Sequence, residues 1–207
     1  MSKKTDIENF VGRKIHILQA EAESGSGKAM LANLRRGIGH EPGELPQLLG
    51  ILLSDMPEEY WSEDGNATRE EWVCYSALTL YALHQQGYDT KSQSMHTDEG
   101  VSMGKALYQL MVAYEGDPNA EQRVVQKLRT LTTAVDRKEL SHHLRAIVQL
   151  LKSKGIAMNY KRLAVDLYEM QFPEGKRQVC LRWGQDFYGG KNKKENNENK
   201  SGEEKNK

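Results

Sequence analysis

The triplet Ser26-Gly27-Lys28 is the first place in this 207-residue chain where residue types and spacing could do chemistry, because phosphate-binding loops end on such a run. The full loop also needs a glycine five residues before Gly27 and a Ser or Thr after the lysine. Ala22 and Ala29 stand at those positions, and the preceding segment reads as helix rather than strand. The plain reading is a loop followed by a helix that carries a lysine. Histidine offers a second possibility, with six in the chain and two adjacent at His142-His143. Two zinc ligands on one helix need i,i+4 spacing so that both rings face the same way, whereas neighbours diverge by about 100°. No His-Glu-x-x-His, Cys-x-x-Cys or His-Asp dipeptide occurs, and Cys74 and Cys180 each sit within an apolar helical pattern. No catalytic residue, metal or cofactor is therefore expected. Paired acids such as Glu58-Glu59 and Glu70-Glu71 lie near helix starts, where a carboxylate favours the macrodipole.

A third grouping is cationic. On a helix from Asp136 to Ser153, Leu140, Leu144, Ile147, Val148 and Leu151 share one face. Roughly opposite lie Lys138, His142, Arg145, Gln149 and Lys152, within an arc of about 80° and with no acid among them. The preceding helix repeats the pattern, setting Arg123, Lys127 and Thr130 opposite Val124, Leu128 and Leu131, with Arg129 nearby. In the first half of the chain, Lys28 and Arg35 are seven residues apart on one face, and Arg36 adjoins them. A charged face is commonly just a solvated surface, but such surfaces usually mix lysine with glutamate at i,i+4. Stripes of one sign on two consecutive antiparallel helices would make a groove for a sugar-phosphate backbone. Few aromatics interleave with these basics, so phosphate contacts without sequence readout are expected.

The formal net charge of zero hides this pattern. Residues 1–100 hold 9 Lys+Arg against 16 Asp+Glu, or −7; residues 101–188 hold 14 against 9, or +5; residues 189–207 hold 6 against 4, or +2. Phosphate binding depends on the local field rather than on the total.

Helical periodicity dominates, and no alternating run bounded by turns suggests a strand, so the spacing predicts an all-α fold. Helices are expected over Asp6–Ala22, Lys28–Arg36, a short stretch through Leu48–Leu53 opened by Pro42 and Pro46, and a long helix starting at the capping box Thr68…Glu71 and ending at Gly87. Residues 88–100 are polar without helical spacing and are expected to be a linker or mobile loop. Five more helices follow, over Ser102–Tyr114, Asn119–Ala134, Asp136–Ser153, Asn159–Gln171 and Glu174–Phe187. The expected organisation is an N-terminal helical bundle (1–87), a polar linker (88–100), a C-terminal helical bundle (101–188) and a disordered polar tail (189–207) with no apolar residue. No run reaches the roughly 20 apolar residues of a membrane span, and the N-terminus lacks a signal-peptide pattern, so a cytoplasmic protein without a membrane partner is expected.

Several short motifs recur in an order that resembles a known family. They are Leu34-Arg35-Arg36-Gly37 before a proline-bounded helix, Gly100-Val-Ser102-Met-Gly104-Lys105-Ala-Leu107, the helix Leu140 to Leu151, Asn159-Tyr160, and Trp183-Gly184-Gln185-Asp186-Phe187-Tyr188. Together, over residues 10–188, they resemble the small subunit of the type I-E CRISPR Cascade complex, the CasB family. The resemblance implies a non-enzymatic all-α subunit of two helical bundles, present as a homodimer within the complex. It would contact the guide RNA, the target DNA and the displaced DNA strand beside other Cascade subunits, stabilising the R-loop in antiviral defence. It further implies that Arg35 and Arg36 belong to an arginine motif, Lys105 to the Gly-x-Ser-x-Gly-basic motif, and Arg123, Arg129 and Arg145 to the basic positions of the C-terminal bundle. The alternative reading is a helical protein-interaction adaptor that uses its charged faces for self-association or for acidic partners.

Overall fold

A computed structural model describes residues 2–114 and 116–190 in full and, for 191–204, the helical backbone alone. Its helices are α1 (Lys3–Ala20), α2 (Gly25–Arg36), α3 (Leu49–Leu53), α4 (Arg69–Gln85), α5 (Met103–Val112), α6 (Ala120–Thr133), α7 (Arg137–Ser153), α8 (Tyr160–Met170) and α9 (Pro173–Glu204). Short 3-10 turns lie at Pro46–Leu48 and Glu58–Tyr60. The described residues contain no strand, only one isolated bridge between His96 and Met158. The all-α reading holds.

Capping explains where the helices begin. Thr68 and Glu71 form the predicted box, with the Glu71 N–H donating to Thr68 Oγ1 at 3.0 Å and the Thr68 N–H donating to Glu71 Oε2 at 2.8 Å. Two other starts come earlier than the apolar spacing implied. Ser2 caps α1 by accepting from the Thr5 N–H, and Ser24 caps α2 by accepting from the Gly27 N–H at 2.9 Å. Ser24 to Gly27, expected as a break, is thus the cap and first turn of α2. At the other end the predicted stop after Phe187 does not occur, since Gly189 and Gly190 continue α9. Most of the 189–207 tail lies outside the fully described residues.

The two expected bundles share one core. Buried side chains from Ile7 to Phe187 form a single cluster, and α8 and α7 from the second half pack against α1 and α4 from the first. Helix α4 is the centre of this arrangement, buried along nearly its whole length from Glu70 to Gln85. A helix buried on every side must satisfy its own polar groups, and α4 does so in large part, the Tyr81 hydroxyl and His84 Nε2 being without a partner among the described residues. Glu70 accepts from Lys3 Nζ at 2.6 Å, and His84 Nδ1 lies 2.9 Å from the Tyr160 hydroxyl.

Gln85 governs the segment expected to be a linker. Its amide donates to the carbonyls of Tyr88 and Gln93, and its Oε1 accepts from the Met95 N–H at 2.8 Å. Met95 is fully buried; its carbonyl accepts from the Met158 N–H, and the Met158 carbonyl from the Thr97 N–H. Residues 88–100 are non-helical as read, but they are folded between the two halves rather than strung between them. A single methionine without helical spacing gives no periodic signal, so this anchor is invisible to pattern analysis.

The Trp183–Tyr188 motif is structural. The indole of Trp183 is fully buried and its Nε1 donates to Asp166 Oδ2 at 2.7 Å, while Arg182 Nη2 and Arg162 Nε donate to Asp166 Oδ1 at 2.8 and 3.2 Å. The Gly-x-Ser-x-Gly motif meets the same helix. Ser102 Oγ donates to Asp186 Oδ2 at 2.5 Å, and a Cβ at Gly104 would sit 2.1 Å from the Trp183 carbonyl oxygen. Only glycine lets α5 cross α9 this closely.

Two outcomes are expected. Asp166→Ala strands a buried indole N–H and two guanidinium donors, and should lower the free energy of unfolding in urea by about 3 kcal/mol, with Asp166→Asn losing less. The second concerns acid. Burial, with Lys152 nearby, lowers the pKa of His84 to about 4 from the ordinary 6.5. The folded state therefore keeps His84 neutral while the unfolded chain takes up its proton below about pH 6.5, so this contribution destabilises the fold progressively from there to pH 4. The parent should lose about 2 kcal/mol more stability between pH 7 and 4.5 than His84→Gln does, by urea titration at each pH.

Candidate nucleic-acid interface

Helix α7 presents its basic stripe as the sequence implied. Leu144, Ile147, Val148 and Leu151 are fully buried, and Lys138, His142 and Arg145 are exposed. Asp136 caps the helix by accepting from the Glu139 N–H at 2.8 Å. What lies beside the stripe could not be read from periodicity. Lys138, Ser141, His142 and Arg145 form one wall of a cleft of about 190 Å³. The opposite wall and floor come from α4, through Trp72, Tyr75, Ser76, Thr79 and Leu80, and from the turn Gly37 to Glu41 that follows α2.

This turn is held against α4 by two contacts. The Tyr75 hydroxyl donates to the Gly37 carbonyl at 2.8 Å, and Gly37 has no room for a side chain, since a Cβ there would lie 2.7 Å from both Leu48 Cδ1 and the Tyr75 hydroxyl oxygen. Burial, with Glu44 and Glu41 nearby, raises the Tyr75 pKa to about 12, so it remains a donor.

Docking α2 on α4 also brings Arg35 to the far end of the α7 stripe. Lys152 is half-buried, and its pKa is lowered by burial first and by the charge of Arg35 second. Its Nζ donates to Gln86 Oε1 at 3.1 Å rather than to a carboxylate. The pKa of Arg35 is itself lowered by burial. Among the described residues Arg35, Lys138 and Arg145 make no ion pair. From Lys138 to Lys152 the stripe runs about 21 Å at 1.5 Å per residue, a length matching roughly six nucleotides at 3.4 Å each.

The remaining predicted residues are placed differently. Arg123 pairs with Asp117 and lies over the Tyr114 ring, 5.2 Å from its centroid, so its charge is already neutralised. Lys127 and Arg129 are on α6 with no ion pair among the described residues, but no hydrogen bond or ring contact joins them to the α7 stripe. Helix α6 packs on α7, and the α7 stripe also borders a surface built by α4 and the turn after α2. Lys28 is exposed near the start of α2, and Arg36 is exposed at its end. Lys105 turns back on its own motif, donating to the Gly100 carbonyl at 2.8 Å. Sequence reasoning missed Arg137, whose guanidinium lies over Trp72 at 5.2 Å and donates to Gln171 Oε1 at 2.6 Å. It also missed Ser76, Ser141 and the 37–41 turn, for which Gly37-Ile38-Gly39 was the available signal. Among the described residues no cluster of three His, Cys, Asp or Glu could hold a metal, and no helix is long and apolar enough to cross a membrane.

The family model for CRISPR-associated protein Cse2 matches residues 30–188. The chain belongs to the Cse2 family. A solved structure described as CasB from Thermobifida fusca is similar to it, at 31% identity and a TM-score of 0.68, over 88% of this chain and 97% of that one. No curated protein matches the sequence. Cse2 proteins are non-catalytic subunits of Cascade, and this chain is a Cascade component of that kind. The matched span takes in α4, α7 and the end of α2, which together build the cleft and the cationic stripe of this Cse2 protein.

Gly37→Ala should push Leu48 and Tyr75 apart and lower stability by about 1–3 kcal/mol, as for other overpacked sites. Thermal unfolding monitored by circular dichroism checks it. A variant as stable as the parent would mean that the turn is not held as described.

Proposed function

We propose that this Cse2 protein contacts the sugar-phosphate backbone of nucleic acid within Cascade through the α7 stripe and Arg35. Its partners in this reading are the guide RNA, the target DNA and the displaced DNA strand, together with neighbouring Cascade subunits and a second copy of itself. Its role is to steady the R-loop in the cytoplasm. The observation that carries the reading is the α7 stripe, where Lys138, His142 and Arg145 are exposed and form no ion pair with a described residue. At its far end Lys152 is half-buried near Arg35, and neither of these forms an ion pair. That arrangement costs stability in the free protein and is relieved by an anion between them. Base pairing with the guide selects the sequence in such complexes, so a subunit that only neutralises backbone needs no base-edge readout.

The test is fluorescence anisotropy with a single-stranded oligonucleotide across a salt series. Each phosphate neutralised contributes about −0.7 to the slope of log K against log salt for single strands. Arg145→Ala, Arg35→Ala and Lys152→Ala should each shallow the slope by about that amount. Arg123→Ala should change it less, because Asp117 already holds that guanidinium. A binding curve indifferent to salt and to the first three substitutions would sink the proposal. If those substitutions instead dispersed a dimer while nucleic acid failed to bind, the adaptor reading would replace it.

A further inference from the structure

Resting on that reading, we propose that the cleft between α4 and α7 takes up one nucleotide unit of a single strand, with a base bearing an exocyclic amine inserted in the cleft and its phosphate held by Lys138 and Arg145. The two sides of the cleft differ in chemistry. Toward α7 stand Lys138 and Arg145, which have no ion-pair partner among the described residues. Toward α4 stand apolar groups, Leu80 and the buried ring of Trp72, beside the Ser76 hydroxyl. Neither Ser76 Oγ nor Ser141 Oγ forms a hydrogen bond with a described residue, although both line the cleft.

An inorganic anion would use the cations and accept from the hydroxyls but leave the apolar wall unanswered. A flat ring with a polar edge answers all three. Size narrows the choice, because about 190 Å³ falls below the roughly 300–1,000 Å³ of sites for drug-sized ligands. A cleft of that size suits a single ring system. Position supports the same ligand. Lys138 and Arg145 belong both to the cleft wall and to the stripe, so a strand following α7 passes its sugar-phosphate over the mouth of the cleft.

Charge then orients the base. Glu41 is the one carboxylate on the lining and is carried by the turn rather than by α7. It would repel a phosphate and accept from an N–H₂ group. His40 beside it is engaged by Glu44, with Nδ1 2.7 Å from Oε2. The phosphate therefore lies on α7 and the amine points at Glu41, which favours adenine or cytosine over uracil or thymine.

Calorimetric titration of the full chain with AMP, UMP and inorganic phosphate tests the inference, alongside anisotropy with the single strand. AMP should bind about fivefold tighter than UMP, the value of one net hydrogen bond, and tighter than phosphate. Glu41→Gln should reduce that preference. Ser141→Leu, which fills the cleft at a half-buried position, should abolish AMP binding while leaving the salt slope for the single strand unchanged; Ser76→Leu provides a second filling if the first does not fold. AMP held no more tightly than phosphate, or held equally by the filled variants, would overturn the proposal. The two readings fail separately. If the single strand binds with its full salt slope while AMP is not held, only the cleft is refuted. If AMP binds and the single strand does not, the cleft stands as a mononucleotide site and the backbone-binding reading falls.

Discussion

Asp166 is a carboxylate with 1% of its surface exposed, and burying such a group is costly unless every lone pair finds a donor. Here the donors are the Trp183 indole, Arg182 and Arg162, which come from α9 and α8. Arg182 also reaches Glu169, and Lys4 at the start of α1 pairs with the same Glu169. One network therefore fixes α9 to α8 and ties both to the N-terminal helix. With α9 fixed, α5 is set as well, through Ser102 with Asp186 and the close crossing at Gly104. Two of the motifs that carry the family resemblance, Gly100–Leu107 and Trp183–Tyr188, are parts of this clamp.

The functional surface depends on the clamp at one remove. Helix α8 packs against α1 and α4, and α4 is buried along its length between α2 on one side and α7 and α8 on the other. Rigid placement of α4 is what allows Arg35, from the acidic half of the chain, to stand beside Lys152 from the basic half. The cleft forms along the same seam, between the 37–41 turn on one side and the α7 stripe on the other. Its polarity follows from that origin, with Glu41 from the acidic half on the same lining as Lys138 and Arg145 from the basic half.

Ion pairing separates residues that helical spacing treats alike. Arg123 and Arg145 both belong to cationic faces with apolar residues opposite, yet Asp117 neutralises the first and nothing described neutralises the second. Asp117 precedes α6 in a turn, outside the periodic segment, so a helical wheel drawn for α6 alone cannot include it. The same limit applies to Lys105, whose motif suggested a ligand contact and whose ammonium instead closes on Gly100.

The sequence by itself determined what depends on neighbours along the chain. Period-3.6 apolar spacing, the Thr68–Glu71 box and the glycine and proline stops placed the helices, and the face of α7 that avoids acid was evident from rotation alone. Sequence also contained the motif order that identifies the family. Tertiary structure decided what depends on distance between segments. It merged two expected bundles into one core through α4 and α8, folded residues 88–100 onto Gln85, brought the turn after α2 to the cleft beside the α7 stripe, and opened that cleft between helices that lie about 70 residues apart. These are contacts across long loops, whose closure is worth little entropy per added residue and leaves no local pattern to read.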